Sequence, residues 1–393
     1  MSPQYDAIVV GGGPAGLVTA LQLERIGWRA LVIEADQLPR DRACGEGIMP
    51  TGIAELRTLG LELTGGMPLH GIAYRTGSGA TARARFAEGP GRGILRTQLS
   101  AALFEKVRSR PRIEVLPGTR VIEIFCDDTG SRVLLDRGEQ ISSRLIVGAD
   151  GLSSFTRRSS GLALPGRRFR RFGMRQHFLA TPWDDCVQVY LREDVEAYVT
   201  PVDRDRIGVA FLWHADRLRP EPAGRRGFDS LLALFPLLKQ ELKSARSLDD
   251  TLAIGPLEQR TRSPVALRLA LVGDASGYLD AITGEGLSLA FEQARVLAEC
   301  LGDIDREVSR ELEGALRLYR RRHRSLTRNY YRMTGALLRI TRRPALYERL
   351  VRALQAAPDL FARLLSINMG TAAFSSIPPG AALRFVAAFL GLR

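Results

Sequence analysis

Lysine is almost missing from this chain: Lys106, Lys239 and Lys243 are the only ones in 393 residues, so arginine carries nearly all the positive charge. The formal net charge of +13 is spread along the sequence and no nucleic-acid-binding module accompanies it. That pattern points to a coding preference for arginine and away from a nucleic-acid partner. Cysteine is scarce too. Cys44, Cys126, Cys186 and Cys300 are scattered without a CxxC pair, which excludes a disulfide framework and a cysteine zinc site and fits a reducing cytoplasm. The four histidines, His70, His177, His214 and His323, suggest no catalytic triad. No apolar run approaches the ~18 residues of a membrane span, and the opening MSPQYDAIVVGGG lacks the basic region and cleavage site of a signal peptide. A cytoplasmic, soluble protein of two or three domains is expected from 45% hydrophobic and 25% charged residues.

What is present begins at once. YDAIVV reads as a β-branched strand, GGGPAG as a tight turn, LVTALQLERIG as a helix and RALVIEA as a second strand ending in Glu34. Within the turn, Gly11, Gly13, Ala15 and Gly16 supply GxGxxG with a small residue between the last two glycines. The glycines let the backbone approach a pyrophosphate whose charge sits at a helix N-terminus. Glu34 is placed to accept hydrogen bonds from an adenosine ribose. The unit binds a dinucleotide.

Two later segments repeat the pattern of buried strand and small-residue turn. RLIVGADGLSSFTR carries Asp150 and Gly151, with Arg157 behind them, and RLALVGDA carries Gly273 and Asp274. The sequence then runs into Thr283-Gly284-Glu285-Gly286 and an amphipathic helix that includes Leu287. A helix N-terminus of this kind stabilises an anion held against it. GxGxxG, then DG, then GD, in this order, resembles the FAD-dependent monooxygenase superfamily. RDRACGEGIMP, residues 40–50, is similar to the geranylgeranyl-reductase-like and aromatic hydroxylase branch, although Ala281 stands where relatives usually carry proline.

The resemblance covers roughly residues 5–300. It implies an α/β fold: a Rossmann-type FAD-binding domain, an inserted antiparallel β-sheet substrate domain and a C-terminal helical region. The expected division is 1–70, 95–168 and 255–305 for the cofactor, 71–94 and 169–254 for the substrate, and 306–393 for the helices. FAD is the implied resident cofactor, with NAD(P)H as a transient reductant, since there is no second GxGxxG. Asp274 would bind the ribityl or phosphate region. Gly284 and Gly286 would bring backbone N–H groups to the isoalloxazine, Arg96 would reach the phosphate or ribityl region, and Arg42 the pyrophosphate.

Candidates for the chemistry are Cys44 and Glu46 in CGEG, His177 in the first strand of an alternating run, and Tyr198 in VEAYVTP. Arg175 and His177 suit either a head-group contact or a solvent-facing edge. Each of the others also has a purely structural reading. The resemblance implies a monooxygenase that hydroxylates an aromatic or phenolic, partly apolar, natural-product or lipid-like substrate, free or carried on a macromolecule, through a flavin C4a-hydroperoxide formed from O2. The alternative is a reductase of isoprenoid C=C bonds, although AYVTPV lacks the aromatic-rich WxFP-like stretch of such relatives. A halogenase would need a lysine near the flavin, and none precedes Lys106. From Arg306 the pattern is helical and basic, broken at Pro344, with an apolar tail IPPGAALRFVAAFLGLR. Such faces suit contact with an anionic membrane surface or the capping of a domain over a pocket.

Overall fold

The computed structural model describes residues 3–166, 170–216, 225–305 and 308–391. Residue 169, where the second substrate segment is expected to begin, and Arg306 lie outside these residues. Two eight-stranded sheets dominate the fold. In the first, Tyr5–Val10 lies between Ala30–Glu34 and Gln140–Gly148, with Ile8 opposite both Leu31 and Ile146. Ile113–Pro117 extends one side and Leu269–Leu271 the other, all parallel. These strands are almost wholly apolar because both faces are covered. Ala7, Val9, Val32 and Val147 pack with the helices Pro14–Arg25 and Gly286–Leu301. Ile8, Val10, Leu31 and Ile146 pack the other way, with Val121, Val133 and Leu135 of an antiparallel pair hooked onto Gln140–Gly148. The strand in RLIVGAD stops at Gly148, two residues before Asp150, and RLALVGDA is a strand only over Leu269–Leu271 before the 3₁₀ turn Gly273–Ser276.

The second sheet runs Arg246–Ser247, Arg171–Leu179, Arg206–His214, Val195–Asp203, Val187–Arg192, Gly71–Thr76, Thr81–Arg85. Its neighbours are antiparallel except where Val187–Arg192 lies parallel to Gly71–Thr76. Period-two alternation sends Met174, Phe178, Val199, Val209 and Phe211 to one face, under Phe228, Leu231, Phe235 and Leu238. The opposite face carries Ile72, Tyr74, Val189, Tyr198 and Leu212 against Leu350, Val351, Leu354 and Phe361 of the C-terminal helices. Neither face is free, so the solvent-edge reading of this strand is corrected: Arg171 and Arg175 are 0% and 1% exposed. A third sheet of Gly47–Ile48, Gly91–Gly93 and Met67–Leu69 ties the halves together. Gly93 permits it, since a Cβ there would stand 1.9 Å from the Pro201 carbonyl oxygen.

The C-terminal region holds Ser309–Thr341, Pro344–Ala356, Pro358–Asn368 and Pro379–Leu390. The break at Pro344 is thus one of three. Each later helix starts on a proline, which is tolerated there because the first-turn N–H has no helical partner.

Candidate active site

The glycine turn, the two aspartate turns and the Gly286 helix converge at the C-terminal ends of the parallel strands, where such sheets bind their ligands. Close packing explains the glycines. Gly11 has φ 111°, and a Cβ on Gly16 would stand 1.8 Å from the Gly11 carbonyl oxygen. A Cβ on Gly273 would meet the Ala15 methyl at 3.0 Å, so the first and third motifs touch. By contrast, a Cβ on Gly13 or Gly45 would meet nothing within 4 Å. Pro14–Arg25 and Gly286–Leu301 both start without a side-chain cap. Their first N–H groups are therefore offered to whatever the cleft holds.

Polar side chains brace these turns. Glu34 accepts from Gly12 N–H at 2.7 Å and from Asp36 N–H at 2.9 Å. Arg40, which the sequence alone did not single out, holds the same carboxylate at 2.7 Å. Arg42 pairs with Asp36 at 2.8 Å and is half exposed, so its guanidinium is engaged at the surface. Asp150 accepts from Thr156 N–H at 2.8 Å and holds the start of the Phe155–Ser159 helix. Arg157 is buried and donates to the Asp274 and Ala275 carbonyls at 3.1 and 3.0 Å, and to Gln259 at 2.6 Å. Gly273 N–H donates to Gln293 at 2.7 Å. Burial pushes the Asp274 carboxyl up to about 6, with the Arg96 and Arg157 guanidinium groups pulling it down.

The CGEG loop is clamped from several directions. Glu46 sits at φ 58°, a left-handed conformation that costs a non-glycine residue about 1–2 kcal/mol. Its carboxylate accepts from Arg96 N–H at 2.8 Å and lies 2.6 Å from His177 Nε2. On the other side of the ring, His177 Nδ1 lies 2.5 Å from Asp249 Oδ2. Burial favours neutral His177, but the Asp249 and Glu46 carboxylates outweigh it and raise its pKa. Arg175 completes the cluster with Asp249 at 2.9 Å and Asp41 at 2.6 Å. Thr200 donates to the Gly45 carbonyl at 2.8 Å. Cys44 is half-exposed and its sulfur lies 3.7 Å from Arg96 Nη1.

A second buried cluster fixes the turn that precedes Gly286. Arg171 is paired with Glu196 and, at 2.9 Å, with Asp280. Burial pushes Asp280 up to about 6 despite this partner. Tyr330 Oη donates to the Asp280 carbonyl at 2.9 Å, and Tyr198 Oη to the Ile282 carbonyl at 3.3 Å. Glu285, buried at the start of the helix, accepts from Asn368 at 2.9 Å and is pushed up to about 8 by burial. Cys44, Glu46 and His177 meet at the CGEG loop, whereas Tyr198 belongs to the second cluster, and Glu46, His177 and Tyr198 are already engaged by protein partners. Arg40, Asp249, Arg171, Glu196 and Asp280 were not visible as site residues in the sequence.

The residues fit a flavin dinucleotide. Two uncapped helix N-termini, a turn in which only glycine fits, and a half-buried aspartate under the influence of Arg96 and Arg157 match a long, polar, anionic molecule. A family model described as "FAD binding domain" matches residues 4–324. The menaquinone reductase of Mycolicibacterium smegmatis is 26% identical, over 77% of this chain and 77% of its own length. The FAD-dependent monooxygenase dpmaE of Metarhizium anisopliae is 26% identical, over 88% of this chain and 81% of its own. Among solved structures, a flavoprotein/dehydrogenase from Cytophaga hutchinsonii shares the fold with a TM-score of 0.78 at 19% identity, over 93% of this chain and 92% of that one.

Proposed function

The chain belongs to the FAD binding domain family and is an FAD-dependent oxidoreductase, and from that premise we propose that it hydroxylates an aromatic or phenolic, partly apolar substrate with NAD(P)H and O2. One observation carries this reading. The ionisable groups Glu46, His177, Arg175, Arg171 and Asp280 are spent on holding the loops. Hydroxylation by a flavoprotein asks for no acid–base pair of this kind: bound FAD supplies the redox and oxygen chemistry. The chain's part is to orient the substrate and exclude water. The apolar cluster Met49, Leu69, Tyr198, Leu212 and Leu257, with Tyr278 and Ala281 packed on it, supplies such a wall beside the Gly284 turn. On this reading Gly11, Gly13, Ala15, Gly16, Glu34, Arg96, Gly273, Asp274, Gly284, Gly286 and Leu287 hold FAD. Asp150 and Gly151 shape the cleft. The first sheet then serves the cofactor and the second the substrate, with the boundaries given above.

A second reading, saturation of an isoprenoid C=C bond, is favoured by the menaquinone reductase matching along three-quarters of both chains. Half-exposed Cys44 would then be the proton donor beside the flavin. Quinones and prenylated phenols, supplied with NAD(P)H under isotope-labelled O2, separate the two. A product that gains one labelled oxygen supports hydroxylation, and Cys44→Ala should leave it intact. A product that gains two hydrogens without O2, and is lost in Cys44→Ala, overturns it.

Contact with a membrane surface belongs to the same proposal. No helix among the described residues is long and apolar enough to cross a membrane. Pro379–Leu390 nevertheless turns Leu383, Val386 and Leu390 outward, 72%, 48% and 57% exposed. An apolar stripe on an arginine-rich region suits a peripheral seat on anionic lipid. Leu383→Glu/Val386→Glu should abolish co-flotation with anionic vesicles; unchanged flotation would refute this seat.

A further inference from the structure

A groove of about 740 Å3 opens between residues 258–264 and one face of the Ser309–Thr341 helix, away from the glycine turn. Arg260, Arg262, Arg324, Arg332 and Arg339 line it, and Glu258 is the one carboxylate among the described lining residues. The three helix arginines lie on the face that also presents Thr327, Tyr331 and Gly335 to the groove. Among the described residues none of the five arginines is paired with a carboxylate. Arg260 and Arg339 donate to the Pro165 and Gly335 carbonyls at 3.2 and 2.8 Å, which leaves all five charges unneutralised beside the groove.

Guanidinium forks recognise phosphates in pairs and stack on planar rings. The Tyr331 ring, 36% exposed, adds an aromatic surface to the wall. The volume falls in the range of small-molecule sites, about 300–1,000 Å3, and far exceeds what an inorganic anion fills. The groove also adjoins the candidate active site through the chain itself. Tyr278 lines it, and the same ring lies 3.5 Å from where a Cβ on Gly286 would stand. Gln259 and Tyr278 exchange backbone hydrogen bonds at 2.7 and 2.9 Å. Gln259 in turn accepts from Arg157, which holds the Asp274 turn.

We propose that this groove binds a nucleotide diphosphate, with the arginines on its phosphates and Tyr331 against its base. Resting on the NAD(P)H-dependent reading above, the occupant is the adenosine diphosphate portion of the reductant. Calorimetric titration of the FAD-loaded enzyme with ADP, inorganic pyrophosphate and NADPH tests it, alongside an Arg262→Glu/Arg332→Glu variant whose flavin content and melting temperature report folding. The expected result is ADP binding that the variant weakens about a hundredfold or more, with KM for NAD(P)H raised and kcat little changed. ADP that fails to bind the wild type, or binds both proteins equally, overturns the proposal. Pyrophosphate binding as tightly as ADP overturns the nucleotide assignment. Should ADP binding be lost in the variant while neither NADH nor NADPH reduces the wild-type flavin, the groove stands as a nucleotide site and the reductant reading falls.

Discussion

Replacing Arg171 with methionine isolates the buried cluster that holds the turn before Gly286. Methionine fills much of the arginine stem's volume, so the change removes charge more than packing. It leaves Glu196 and Asp280, 1% and 1% exposed, without their shared cation. Breaking a buried ion pair by removing one partner costs about 3–5 kcal/mol, which in a protein of this size lowers Tm by roughly 4–6 °C. The pH dependence is the sharper signature. Asp280 is already pushed up to about 6 with Arg171 present; without it this carboxyl titrates higher still. A carboxyl whose folded pKa lies above its unfolded value of about 3.9 takes up protons on folding. The variant's deficit should therefore shrink as pH falls from 7.5 to 5. Urea denaturation of wild type and Arg171→Met across that range measures it. A deficit below about 1 kcal/mol at pH 7.5, or one that pH leaves unchanged, would refute the reasoning.

Three further outcomes are expected. Gly16→Ala forces a methyl to within 1.8 Å of the Gly11 carbonyl and, at the 1–3 kcal/mol cost of overpacking, should weaken FAD binding by about ten- to a hundredfold; full flavin occupancy after dialysis would contradict this. Glu285, pushed up to about 8, is neutral near pH 7, so Glu285→Gln should match the wild type near pH 5. As pH rises from about 4.5 to 8 the unfolded chain ionises this acid while the folded wild type keeps it protonated, so the wild type loses stability that the variant keeps, an advantage on the order of 4–5 kcal/mol at pH 9; denaturation curves that stay superimposed at both pH values would remove the basis for a neutral Glu285. His177, raised by its two carboxylates, contributes stability in full below its unfolded pKa of about 6.5 and loses it as pH climbs through the folded value. Its NMR titration midpoint should lie above that of a free histidine, and a midpoint below about 6 would reverse the assignment.

Much of the cofactor side was legible because it is local. A β-strand, a turn in which only glycine fits and an uncapped helix lie within residues 5–25, so neighbouring residues carry the whole signal. Glu34 ends the next strand and braces the same turn through Gly12 N–H. The clamps were not legible. His177 meets Asp249 seventy-two positions on and Glu46 a hundred and thirty-one back, and Arg171 meets Asp280 across two elements. An alternating strand around His177 was legible, but not that the Glu46 loop, Asp41, Asp249 and the Asp280 turn cover its polar face. The polarity of Arg175 and His177 left a head-group contact and a solvent edge equally open, whereas it marks partners distant in sequence.

The placement of Tyr5–Val10 in the middle of its sheet has a consequence for how the protein is made. Its neighbour Gln140–Gly148 and the outer strand Leu269–Leu271 are translated long after it, at about 5–20 residues per second. The first strand therefore leaves the ribosome roughly 10–50 s before its sheet can close. Through that interval the apolar run AIVV has no finished layer to enter. Until then Tyr5–Val10 has only Ala30–Glu34 to pair with, and flavin capture becomes a late event that can seal the fold once the Gly286 helix has emerged.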